Sequence, residues 1–213
     1  MLKRMIIIAV VVLGMPHLLQ AQDGDPALLA QLRNDCRLAA QILTTGHPDP
    51  HRLWAIEFIA RCEGEGPVML GSLWRTSSSG EELEPMVESS LQIRDARLYR
   101  QLRETAADRS RPAAVRAAAM LVLTRYANTR NALWLTALVP PDSIGEIPLI
   151  FGSGTPLRQA TGEAPLTAPI AASILSLLDQ ISADRNRESR TVWYAAAVLA
   201  KRLRLDIANG EAY

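Results

Sequence analysis

The sequence is poor in the residues that most often carry chemistry. Two cysteines, three histidines and two lysines are spread over 213 residues, and aromatic residues make up 5%. Two of the histidines, His47 and His51, lie beyond the N-terminal segment, so a Ser-His-Asp triad would have to draw on one of them. Nothing in the sequence suggests such an arrangement. The glycine-rich Phe151-Gly152-Ser153-Gly154-Thr155 lacks the lysine of a phosphate-binding loop and the spacing of a nucleophile elbow. Charge of one sign is missing as well. The formal net charge is +1, and it becomes −1 (21 basic against 22 acidic) once Lys3 and Arg4 are set aside with residues 1–21. Such a chain has no field to gather nucleic acid.

No apolar run is long enough to cross a bilayer, which takes roughly 20 residues. The N-terminal Met5–Leu13 stretch is preceded by Lys3 and Arg4 and followed by Pro16 and a small residue, Ala21. This three-part pattern predicts a signal peptide over residues 1–21, with an uncleaved anchor as the alternative. Export to the periplasm or the cell exterior follows, with no stable membrane anchor after cleavage. In an oxidising compartment an even cysteine count favours one disulfide, Cys36–Cys62, over two buried thiols. Both cysteines fall in segments that read as consecutive helices, about one turn out of register. The bond therefore requires the two helices to be offset.

Nearly everything present reads as helix. Leu28, Leu29, Leu32, Cys36, Ala39, Ala40 and Leu43 recur at helical spacing over 26–44, with Asp25 as cap and Pro26 as first residue. Asp49 and Pro50 repeat the device before a helix over 50–63. Further helices are predicted at 67–74, 81–93, 94–107, 112–127, 129–138, 169–183 and 188–205, and no segment reads as strand. The helix over 112–127 has seven apolar residues in a row between Arg116 and Thr124. A helix apolar on almost every side has to be buried on almost every side. Arg111, Arg116 and Arg125 are expected at its rims. The tryptophans at 54, 74, 134 and 193 fall one per helix and read as core.

Three segments align on their first large apolar residue, beginning at Leu53, Val115 and Val192. The offsets of 62 (115 − 53) and 77 (192 − 115) residues, halved, approach the period of two-helix repeats. Pro112-Ala113-Ala114-Val115-Arg116-Ala117-Ala118-Ala119 resembles the second helix of a HEAT repeat, in which a turn bearing Asp or Pro leads into Val-Arg and then small residues. Asp49-Pro50-His51-Arg52-Leu53 and Arg187-Glu188-Ser189-Arg190-Thr191-Val192 are weaker copies, with Trp54 and Trp193 where the family has Arg. The resemblance implies an all-α fold over 22–213, a short α-solenoid of stacked antiparallel helix pairs. Residues 139–168, with five prolines and four glycines, interrupt it as an irregular insertion before the last pair.

Candidate sites are few. The apolar Ile147, Leu149, Ile150 and Phe151 argue that the insertion folds back on the helices or offers a contact surface. Arg94, Arg97, Arg100 and Arg103 form an i, i+3 row, a solvated face or a basic ridge for an acidic partner. His47, Asp49 and His51 have a spacing that can hold a metal. The two prolines and the capping position of Asp49 favour a plain turn instead, so no metal or other cofactor is expected. The reading that results is an exported interaction or scaffold module with a protein partner and no catalytic activity. Its alternative is a small-molecule binder or hydrolase-type enzyme with a pocket beneath residues 140–168.

Overall fold

The computed structural model describes residues 26–45, 51–78, 80–127, 136–137, 150–151, 158–159, 170–210 and 212. Among them the chain forms eight α-helices: α1 (Pro26–Thr44), α2 (Arg52–Ile59), α3 (Gly66–Thr76), α4 (Gly80–Ser90), α5 (Ala96–Ala107), α6 (Ala113–Ala127), α7 (Ala171–Ala183) and α8 (Arg190–Ala208). Helices adjacent in sequence pack as pairs: α1 on α2, α3 on α4, α5 on α6 and α7 on α8. Helix α4 also lies between α2 and α6, and α6 between α4 and α8. On the other side α5 lies between α3 and α7.

Helix α6 has the environment its composition demands. Its neighbours are α4, α5, α7 and α8, and every residue from Val115 to Ala127 is buried. Ala117, Ala118 and Ala119 let those helices approach, and Met120, Leu121, Val122 and Leu123 fill the space between them. The expected rim positions are wrong for two of three arginines. Arg116 and Arg125 are buried, and Arg111 is half-buried with its guanidinium donating to the Ser77 carbonyl. With neighbours on every side the helix has no rim along this stretch, so its charges are held inside by partners.

Cys36 and Cys62 are joined, with Cα atoms 5.6 Å apart. The register difference is absorbed by the end of α2. That helix stops at Ile59, and Cys62 lies in the turn beyond it. The turn is tight: Cys62 N–H donates to the Ile59 carbonyl at 3.0 Å, and Gly66 N–H to the Cys62 carbonyl at 3.0 Å. Gly64 has φ +77°, and a Cβ on Gly66 would collide with the Ile59 carbonyl oxygen.

Several boundaries differ from those the pattern predicts. Helix α2 starts at Arg52, and its cap position is His51, which makes no side-chain capping bond, so Asp49 is not the cap. Helix α4 ends at Ser90, and Ile93–Arg94 form a short strand, β1. Thr136–Ala137 (β2), inside a predicted helix, pair antiparallel with Ile150–Phe151 (β3), and β1 pairs parallel with Arg158–Gln159 (β4). Ladders of two residues are too short for alternating polarity to register in sequence. Trp74 is fully buried as expected, but Trp54 is 39% exposed. Trp193 is half-buried beneath the Arg185 guanidinium, 4.5 Å from the ring centre, and Trp134 lies outside the described residues.

Candidate interaction groove

Helices α3 and α5 pack against each other with Gly71 facing Gln101, where a Cβ on the glycine would sit 3.5 Å from Gln101 Cβ and Cγ. That contact is possible because Gly71 brings no side chain to meet Gln101. A groove of about 290 Å³ opens at this contact, lined besides Gly71 and Gln101 by Arg75, Arg97, Arg100 and Glu104 with Pro67 and Val68. Three guanidinium groups against one carboxylate make it locally basic in a chain that is nearly neutral overall.

The arginines are held differently. Asp95 caps α5, its Oδ1 accepting from the backbone N–H of Arg97 at 2.8 Å and of Leu98 at 3.2 Å. The same carboxylate accepts from Arg97 Nη2 at 3.2 Å, and Nη2 also donates to the Gly64 carbonyl at 3.1 Å. Arg97 is therefore fixed at the mouth of the groove and joined to the turn that carries Cys62. Arg75 and Arg100 extend from facing helices and are exposed. Arg103 donates to Ser173 Oγ at 2.6 Å, tying α5 to α7.

The predicted arginine row is thus broken at its first member. Arg94 belongs to β1, not to the helix, because Asp95 marks the helix start. Arg94 faces inward, toward Tyr126. Burial pulls its guanidinium below the usual range, and burial likewise pushes the Tyr126 hydroxyl well above its own. Tyr126 donates its hydroxyl to the Ser90 carbonyl at 3.3 Å. Arg97 and Arg100 remain together on the groove, joined by Arg75, which sequence spacing had not linked to them.

Of the apolar candidates, Ile147 and Leu149 lie outside the described residues. Ile150 and Phe151 lie in β3, described as backbone alone. His47 and Asp49 are also outside the described residues, and His51 is exposed at the start of α2. Among the described residues no group of three or more His, Cys, Asp or Glu is arranged to hold a metal ion.

A charged cluster that no local spacing announced lies where the turn after α5 meets the turn after α7. Glu188 accepts from Arg116 Nη1 at 2.5 Å and Nη2 at 3.1 Å, and from Arg109 Nε at 3.1 Å. Arg109 also pairs with Asp184, and Arg116 Nε donates to the Ala106 carbonyl at 3.0 Å. Burial pushes the Glu188 carboxyl up, but the bonds from Arg116 and Arg109 outweigh it and hold the group below the usual carboxylate range. A cavity of about 480 Å³ opens beside the cluster, with Ala107, Leu177 and Ile181 contributing its apolar lining and Asp108, Arg109 and Asp184 charged groups. The lining comes from α5, α7 and the turns that follow them. All its central charges are engaged with one another, which is the chemistry of a fastening. Among the described residues no helix is long and apolar enough to cross a membrane. Comparison with family models, with curated proteins and with solved structures found no match for this chain.

Proposed function

We propose that this chain is an exported helical-repeat module of the HEAT-like kind that binds a protein partner through the α3–α5 groove. The repeat reading is supported by the order in which α2, α4, α6 and α8 neighbour one another. It is supported also by a recurring bond: Arg52 Nε meets Glu82 at 2.5 Å to join α2 to α4, and Arg116 meets Glu188 to join α6 to the start of α8. Export is the reading that accommodates a Cys36–Cys62 disulfide together with the N-terminal charged and apolar segment. The single observation that carries binding is the convergence of Arg75, Arg97 and Arg100 on one open groove. Guanidinium groups presented together favour a carboxylate-bearing surface, and they set orientation and association rate more than affinity.

The test is affinity capture from the native source with the wild-type chain and with Arg75→Glu/Arg100→Glu. Both residues are exposed, so the double variant should keep its melting temperature. A specific partner should be retained by the wild type, released by rising salt, and lost with the variant. Equal retention by both proteins would remove the groove from the function.

A further inference from the structure

Helices α3 and α5 run parallel. Arg97 Nη2 reaches the Gly64 carbonyl just before α3, Gly71 faces Gln101 in the middle, and Thr105 Oγ1 donates to the Trp74 carbonyl at 3.3 Å near the far end. The groove between them is therefore graded along its length. Val68, 47% exposed, lies toward one end and Arg75 at the other, seven residues on (75 − 68), which is ~10 Å at 1.5 Å per residue. Arg100 stands between these levels, one residue before the Gln101 that faces Gly71. Among the described residues Arg75, Arg100 and Glu104 make no ion pair or side-chain hydrogen bond. Elsewhere Arg52, Arg103, Arg109 and Arg116 each fasten two elements together.

Glu104 occupies an unfavourable place for a carboxylate. It lies in the last turn of α5, where the helix dipole disfavours negative charge. It also follows Arg100 by four residues, the poorer order for an ion pair along a helix. With Arg97 balanced by Asp95, two uncommitted guanidinium groups and one carboxylate leave the groove a single positive charge.

We propose, resting on the reading of this groove as the partner site, that it takes an extended, singly acidic segment of another protein. One carboxylate bridges Arg75 and Arg100, an aliphatic side chain two residues away covers Val68, and Glu104 repels any second carboxylate. The spacing fits: a group midway between the levels of Arg100 and Arg75 is ~7 Å along the axis from Val68, the separation of side chains two apart on one face of an extended chain. A helix ~10 Å across would fill ~800 Å³ over the same length. The groove offers about 290 Å³.

Titration of the isotope-labelled chain with acetyl-Val-Ala-Glu-amide, followed by NMR, tests this. The backbone signals of Gly71, Arg75 and Gln101 should shift together, and acetyl-Val-Ala-Gln-amide should leave them in place. Arg75→Gln should weaken binding. Glu104→Gln should strengthen it about threefold at low salt, since a carboxylate held at Arg100 stands ~6 Å from Glu104 in water. Both side chains are exposed, so neither change should alter helical content. Absent shifts, equal shifts with the glutamine peptide, or a Glu104→Gln protein that binds no better would overturn the proposal. If Arg75→Glu/Arg100→Glu still abolished capture of the native partner, that failure would strike the extended acidic occupant and leave the groove as the partner site.

Discussion

Replacing Glu188 by Gln preserves the shape of the side chain and removes its charge, which isolates what the charge does. In the folded chain Arg116 and Glu188 are 4% and 3% exposed, so the substitution leaves a buried guanidinium facing a neutral amide. Breaking a buried pair from one side costs about 3–5 kcal/mol. The neighbouring cavity admits water and Arg109 is half-exposed, which places this case at the lower end, about 3 kcal/mol. At roughly 2–4 °C per kcal/mol for a chain of this size, the melting temperature should fall by about 6–12 °C at pH 7. The sign of the pH dependence follows from the direction of the shift. A carboxyl held below its unfolded value, about 4.3, contributes stability that is complete above that pH and is lost as pH falls through the lower folded value. The gap between wild type and Glu188→Gln, followed by circular dichroism, should therefore be full at neutral pH and should close in acid. Arg116→Met/Glu188→Leu should lose less stability than its single changes added together, because no orphaned charge remains. A Glu188→Gln protein melting within about 2 °C of wild type at pH 7, or a gap that is the same in acid, would refute this account.

The other two expectations concern the crosslink and the central helix. Cys36 and Cys62 are 26 residues apart, and the loop-closure relation for that separation gives about 3.5 kcal/mol. Cys36→Ser/Cys62→Ser, or reduction of the wild type, should accordingly lower the denaturant midpoint, and a thiol assay on the oxidised chain should find no free sulfhydryl. Ala118 is fully buried within α6, so Ala118→Leu should cost about 1–3 kcal/mol through overpacking, read as a shift in urea midpoint at unchanged slope.

How far the sequence revealed this structure depends on how local each determinant is. Helix α6 was legible because a run such as Ala117–Leu123 leaves no choice but burial, and the cysteines were legible as a pair by count and compartment. The start of α5 was legible too. Asp95, two residues before the first of two backbone N–H groups it accepts from, is a capping residue, and weighing it would have placed Arg94 outside the helix. The Arg116–Glu188 bond spans 72 residues and has no period to betray it. The groove was half visible. Arg97 and Arg100 share a helix turn, but Arg75 joins them only because Gly71 lets α3 lie close to Gln101, a fact of packing between helices. Exposure of Leu53 and Trp54 could not be read either, since an apolar stripe looks the same whether a neighbour covers it or not.

The turn at Gly64–Gly66 ties oxidation to shape. Cys62 is presented to Cys36 by a bend that tolerates no side chain at Gly66, and the same bend offers the Gly64 carbonyl to Arg97 at the mouth of the groove. Covalent closure and the posture of Arg97 therefore share one hinge of backbone. Reduction of the disulfide, or a substitution that stiffens that hinge, should alter the α3–α5 groove without touching any residue that lines it.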